Sequence, residues 1–185
     1  MVLGLPRGGV PVAYEVAQAL RAPLDVFVVR KLGVPGHEEL AMGAIASGEV
    51  MVLNSDVVAA AGIERDELEA VVARELVTLK RQEADYRGER PPVEVHDRVA
   101  IVVDDGLATG ATMRAAVRAL RDRGAKSIVV AVPTAPRETC EALRRDVDEV
   151  VCAITPDPFT AVGLWYRNFA PVSDAQVREL LGAMH

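Results

Sequence analysis

Between Val99 and Met113 the chain reads VAIVVDDGLATGATM, and this run leaves few folds open. Val99 to Val103 is continuous β-branched and apolar sequence, which suits a central parallel strand buried on both faces better than a half-exposed one. Asp104 and Asp105 end it. Two carboxylates side by side at the end of a buried strand repel when ionised and need partners, so they serve stability poorly. They suit gripping hydroxyls or a hydrated Mg²⁺. Gly106 and Gly110 let the backbone turn tightly, so that successive N–H groups of Gly106, Leu107, Ala108, Thr109, Gly110, Ala111 and Thr112 can point into one concavity. Thr109 and Thr112 add hydroxyls. Met113, Ala116, Val117 and Leu120 then recur at helical spacing and Gly124 supplies a left-handed stop, so the positive end of a helix faces the same anion. The unit suits a sugar phosphate. An Asp-Asp-Gly turn between a strand and a capped helix is the plain structural alternative. A Walker A loop is excluded, because no Lys precedes the final Thr and the acids come before the loop.

A second unit of the same kind opens the chain. Val2 to Leu5 reads as a strand, Pro6 to Gly9 as a turn, and Val12, Ala13, Val16, Ala17 and Leu20 as the apolar stripe of a helix. Arg7, followed by Gly8 and Gly9, offers a guanidinium beside exposed amides, which suits bidentate phosphate binding. An exposed arginine on a tight turn is the other reading.

Further along, Asp25 to Val29 reads as a strand ending in Arg30 and Lys31, and LGVPGHEELAMGA as an exposed loop. Ala44 to Ala46 and Val50 to Leu53, separated by Ser47 to Glu49, are expected to form a hairpin arm. From Glu64 to Arg87, Leu68, Val71, Val72, Leu76 and Leu79 mark a long amphipathic helix that Gly88 and Pro91-Pro92 end. Ser127 to Val132 and Glu149 to Ile154 read as strands, with a helix from Arg137 to Arg144 between them. Ser173 with Gln176 forms a capping box for a last helix through Leu181. Strands separated by helices imply a doubly wound, mostly parallel α/β sheet, whose ligands bind beyond the carboxyl ends of the strands. That rule gathers the loops at Arg7, Arg30, Asp104 and Pro133 to Arg137 on one edge.

Composition bounds the rest. With 185 residues, half of them apolar, the chain can bury one α/β core, and its length favours a single domain. A net charge of −6 argues against non-specific binding to nucleic acid or membrane by the whole surface. No apolar run is long enough to span a bilayer, and no signal peptide is visible. Cys140 and Cys152 lack C-x-x-C spacing and read as buried free thiols of a reducing cytoplasm. His37, His96 and His185 are scattered surface residues without zinc-ligand spacing.

The two loops, in this order, resemble those of the type I phosphoribosyltransferases. The hydrophobic strand, acidic pair and T-G-x-T loop are similar to the family's phosphoribosyl diphosphate (PRPP) signature, and Arg7, Gly8 and Gly9 to its diphosphate loop. The resemblance covers nearly the whole chain and implies a core of about five mostly parallel strands flanked by helices, with a flexible β-arm and a C-terminal hood. Core residues are then about 1–54 and 95–155, the long-helix insertion about 55–94 and the hood about 155–185. Members usually carry a helix before the first strand, so this chain is expected to start late.

By the same resemblance, Asp104 and Asp105 hold the ribose hydroxyls and associated Mg²⁺, and Gly106 to Thr112 hold the 5′-phosphate. Arg7, Gly8, Gly9, Arg30 and Lys31 face the diphosphate, with Arg87 and Arg90 as further candidates, and the loop after Lys31 is the mobile flap. The basic pair at Arg30 and Lys31 can equally be a solvated strand end. DPFTAVGLWYRNF, from Asp157 to Phe169, holds two of the three Phe, the only Trp and one of three Tyr. An aromatic face there can stack on a base. Phe159, then Trp165, are the stacking candidates, with Asp157 beside them, whereas Tyr166 and Phe169 read equally well as plugs of the core.

The implied reaction transfers 5-phosphoribosyl from PRPP to a nitrogenous base, giving a nucleotide and diphosphate, in a cytoplasmic homodimer of the nucleotide-salvage type. Where many purine-salvage members carry a third Asp, this chain has Ala108, as adenine-type members do, which leaves Asp157, Glu38 and Glu39 as candidate proton acceptors. A non-catalytic PRPP- or nucleotide-binding regulator is the alternative. An unrelated sugar-phosphate enzyme using the same nest is a third reading.

Overall fold

The computed structural model describes residues 1–184; His185 lies outside the described residues. Five strands form one parallel sheet in the order β2-β1-β6-β7-β8, with β1 at Val2–Gly4, β2 at Leu24–Val26, β6 at Val99–Val103, β7 at Ser127–Thr134 and β8 at Glu149–Ile154. β1 lies inside the sheet, pairing the edge strand β2 on one side and the central β6 on the other. Both strands that end in the suspected phosphate loops are therefore neighbours, which the chain order alone leaves open. The helices α1 (Gly9–Leu20), α4 (Ala111–Asp122) and α5 (Arg137–Leu143) cross between parallel strands.

Three antiparallel strands make a second sheet: β3 (Val29–Val34), β4 (His37–Ala46) and β5 (Val50–Leu53). Two expectations are corrected here. The run from Asp25 to Val29 is not one strand. β2 stops at Val26, and the chain passes to the second sheet through Phe27 and Val28, both 1% exposed. Ser47 Oγ accepts the Val28 N–H at 2.8 Å and marks the crossing. Continuous hydrophobicity hides such a switch, because both sheets bury the segment. The segment after Lys31 is likewise no open loop. It is a hairpin turning at Pro35-Gly36, with Gly36 at φ +77°, and Leu32, Val34 and Met42 are buried in it. The exposed Glu38, Glu39 and Leu40 at its tip mask the alternation. The arm expected from Ala44 to Leu53 is present, extended by the longer β4.

The short helix α2 (Ser55–Ala60), unforeseen in the sequence, is capped by Asn54, whose side chain accepts the Val57 N–H at 3.3 Å. The long helix α3 runs Arg65–Arg87. Its capping box is Glu64 with Glu67, and it stops at Gly88, φ +60°. Val71, Leu79 and Tyr86 are its fully buried side chains, while Leu68, Val72 and Leu76 are half-buried. The last helix, α6 (Asp174–Gly182), begins with the expected Ser173–Gln176 box.

Two apolar clusters lie against the central sheet. One gathers α4 and α5 with Ala100, Val102, Ile128 and Val130. The other gathers α1, α3, α6 and the arm. In α1 the buried stripe is Val10, Ala13 and Ala17, one position round from expectation, and Leu20 is 57% exposed. The central strand β6 is also less enclosed than its sequence implies. Val99 is 46% exposed and Ile101 half-buried, while Ala100, Val102 and Val103 are sealed.

Candidate active site

The loops after β1, β6 and β7 meet at the carboxyl edge of the central sheet. After β1 the chain turns at Pro6 and Arg7, joined by a cis peptide, and the Gly9 N–H donates to Leu5 O at 3.0 Å to enter α1. Gly8 and Gly9 pass directly over the acids. A Cβ at Gly8 would lie 2.7 Å from Asp105 Cγ, and one at Gly9 would lie 2.6 Å from Val103 O and 2.8 Å from Asp104 Cα. Only glycine fits such approaches. Arg7 itself is exposed, and among the described residues no carboxylate pairs with it.

Asp104 Oδ1 accepts the Asp105 N–H at 2.9 Å. Among the described residues, neither carboxylate has a salt-bridge partner within 4.0 Å. Burial, then the adjacent Asp105 charge, pushes Asp104 up to about 7, against the lowering effect of that hydrogen bond. Burial also raises Asp105. Such a pair is short of positive charge.

The loop that follows is braced from three sides. Gly106 sits under Val162, whose Cγ1 would be 2.6 Å from a Cβ there. Leu107 is buried and its N–H donates to Thr134 O at 3.0 Å, so it serves the loop by its backbone. Thr139 Oγ1, on α5, donates to Ala108 O at 2.9 Å. Arg114 donates to Thr109 O. Gly110, at φ +73°, starts α4, so the open backbone of Ala108 to Thr112 stands at the helix N-terminus.

Several basic candidates lie elsewhere. Arg30 faces α3 and makes two bonds to Glu75 Oε2, at 3.0 and 2.8 Å. Lys31, on the opposite face of β3, lines a cavity with Thr112, so the two never form one basic pair. Arg87 is not a phosphate ligand here. It pairs with the buried Asp25 at 2.9 Å and donates to Val26 O, securing the end of α3 to β2. Arg90 is spent on carbonyls of Leu181, Tyr86 and Arg87. In both cases a buried acid or carbonyl, distant in sequence, captures the guanidinium.

In the hood, Asp157 is exposed, Phe159 half-buried and Trp165 44% exposed, the last within a short 3₁₀ turn, Val162–Trp165. Tyr166 and Phe169 do not plug the core. Their rings stack against each other at 5.0 Å, Phe169 is 48% exposed, and the Tyr166 hydroxyl donates to Asp105 O. Sequence reading missed this latch, because nothing links residues 61 positions apart. Burial, then Asp105 and Asp104, pushes Tyr166 up to about 12, so the phenol stays a donor.

The donor set fits Mg²⁺. Mg²⁺ sites typically use one or two carboxylates plus water and substrate oxygens, which is what two acids without a cationic partner among the described residues, beside a loop of backbone amides, offer. Among the described residues, no group of three ligating side chains forms a closed cage.

The family model for the phosphoribosyl transferase domain matches residues 1–166. This chain belongs to that family. It is 49% identical over 185 residues, all of this chain and 42% of the other, to "Putative phosphoribosyl transferase Rv0571c" of Mycobacterium tuberculosis. The chain thus spans less than half the length of that curated relative. Its fold is similar to the crystal structure of TT1426 from Thermus thermophilus, with a TM-score of 0.85 and 42% identity, covering 97% of this chain and 85% of that one. It is also 28% identical over 129 residues to the "Bifunctional protein PyrR" of Alkaliphilus metalliredigens, covering 68% of this chain and 64% of that protein. No helix among the described residues of this phosphoribosyl transferase domain is long and apolar enough to cross a membrane.

Proposed function

We propose that the chain transfers a 5-phosphoribosyl group from PRPP to a nitrogenous base and releases diphosphate. The observation that carries this reading is the packing of Gly8 and Gly9 onto Asp104 and Asp105, which puts an arginine-bearing loop and a phosphate nest on either side of an unpaired acid pair. A ligand with phosphates at both ends and hydroxyls between them answers that layout.

In this reading, the backbone of Gly106 to Thr112 holds the 5′-phosphate, Asp104 and Asp105 hold the ribose hydroxyls, and Arg7 with the Gly8 and Gly9 amides holds the diphosphate. The bond from ribose C1 to the diphosphate oxygen breaks, that oxygen keeps the electron pair, and a base nitrogen bonds to C1. Bound Mg²⁺ supplies charge neutralisation for the leaving group. The half-buried acid pair, once ionised, also favours the positive charge that develops on the ribose. Phe159 and Trp165 offer the base its stacking faces. The nitrogen's proton leaves to a carboxylate or water. Asp157 belongs to the hood that Tyr166 latches over the acid pair, whereas Glu38 and Glu39 stand at the arm tip.

A second reading, a PRPP-binding regulator without catalysis, is favoured by the exposed Ala108 where an acid would serve as base, and by the likeness to a protein named bifunctional. Calorimetric titration with PRPP, with and without Mg²⁺, followed by diphosphate release over a panel of bases, separates the two. Metal-dependent binding with release supports transfer, and binding without release for any base supports regulation. No PRPP binding overturns both.

A further inference from the structure

A cavity of about 660 Å³ lies away from the acid pair. It runs between the arm and α4, reaching the phosphate loop only at Ala111 and Thr112. Its size falls in the range of small-molecule sites. One wall is α4, where Arg114, Arg118 and Arg121 recur at helical spacing and share a stripe. Lys31 of β3 stands on the facing wall. The floor is apolar, from Val52 and Leu53 on the arm to Ala115 and Val117 on the helix. Among the described residues, Asp146 is the one acid lining it.

This is an unusual concentration of positive charge in a chain whose net charge is −6. Arg121 is paired to Asp148 at 2.9 Å. Lys31 and Arg118 have no acidic partner within 4.0 Å among the described residues. A structural ion-pair network would neutralise them, so free cations over an apolar floor point to an anionic ligand with an apolar body. A guanidinium stripe suits several phosphates in a row, and the floor suits a flat ring.

We infer that this cavity is a second site, distinct from the acid pair, that binds a nucleoside polyphosphate and thereby weakens PRPP binding. The coupling runs through Arg114. Arg114 lines the cavity and its guanidinium holds the Thr109 carbonyl of the phosphate loop, so a phosphate that recruits it releases the loop. Linkage then requires PRPP to weaken the nucleotide by the same factor.

The test titrates the full chain with ATP, GTP, CTP and UTP in turn, and with inorganic tripolyphosphate, free of Mg²⁺. At least one nucleotide binds wild type and the Asp104→Asn/Asp105→Asn variant equally, and more tightly than tripolyphosphate. Arg118→Glu weakens it at least ten-fold and leaves the PRPP titration and circular dichroism unchanged; Lys31→Glu, on the other wall, also weakens the nucleotide and is read on nucleotide affinity alone if Arg118→Glu fails to fold. Saturating nucleotide raises the PRPP Kd several-fold in wild type, and that factor falls to one in Arg114→Gln. The inference is overturned if no nucleotide binds, or if both charge reversals leave its affinity intact. It is also overturned if binding disappears in the double aspartate variant, since the nucleotide then occupies the PRPP site. A change of oligomeric state in Arg118→Glu with nucleotide affinity unaltered overturns it too, marking the face as an interface between copies. Nucleotide binding is read without PRPP, so the site is tested even if the transferase reading fails.

Discussion

Gly8 lies against Asp105 with no room for a side chain between them: a Cβ added to Gly8 would come within 2.7 Å of the carboxyl carbon. Two loops 97 positions apart in the chain thereby share one surface, which the pairing of β1 with β6 enforces.

Gly8→Ala is therefore expected to displace the acid pair rather than unfold the domain. Overpacking of this kind costs about 1–3 kcal/mol. Thermal melting should show a modest fall, while the calorimetric affinity for PRPP with Mg²⁺ drops by at least ten-fold. Unchanged affinity would mean that the two loops do not act on one ligand.

Asp104 makes the apo protein sensitive to pH in a defined direction. Its folded pKa, about 7, lies above the ordinary value near 4, so the folded state holds this proton more tightly and ionisation opposes folding. Stability from this group is complete below pH about 4 and is lost as pH rises through about 7, by up to about 4 kcal/mol. Asp104→Asn removes that loss. Urea unfolding without metal should find the variant more stable than wild type at pH 8 and much closer to it at pH 5, while Mg²⁺-dependent PRPP binding is abolished.

Tyr166→Phe deletes the hydroxyl that donates to Asp105 O. A hydrogen bond of this type contributes about 0.5–1.5 kcal/mol, a factor of roughly 2 to 10 in PRPP affinity. Because the phenol is pushed up to about 12, wild-type affinity should show no titration of this group up to pH 10. An affinity identical in the variant would reduce the latch to a packing contact.

Arg87 and Arg7 should separate cleanly. Arg87→Ala leaves Asp25 charged and buried, which costs about 3–5 kcal/mol, and denaturant unfolding should register it. Arg7→Ala should leave stability within about 0.5 kcal/mol, as exposed positions do, and weaken diphosphate more than ribose 5-phosphate. Equal losses for the two ligands would remove Arg7 from the leaving-group side.

Much of the local architecture was legible in the residues. The stop of the long helix at Gly88, the Ser173–Gln176 box and the strand–loop–helix at Val99 to Leu120 all occur as read, because each depends on backbone geometry or neighbours within one turn. The arm is legible in the residues only in part. Its polar tip looks like a loop, and its buried Leu32, Val34 and Met42 gain their reason from α3, which packs on it from beyond.

Sequence alone therefore determined the units: two strand–glycine loop–helix segments, an acidic pair at a strand end, and an aromatic C-terminal segment. The tertiary structure decided which charges those units keep. Arg30 went to Glu75, 45 positions away, and Arg87 to Asp25, 62 positions away, while Asp104 and Asp105 were left without a counter-ion among the described residues and Tyr166 was brought to the Asp105 carbonyl. The reason is physical. Turns, caps and periodicity follow from neighbours along the chain, but the partner of a buried charge is chosen by packing, which no local spacing encodes.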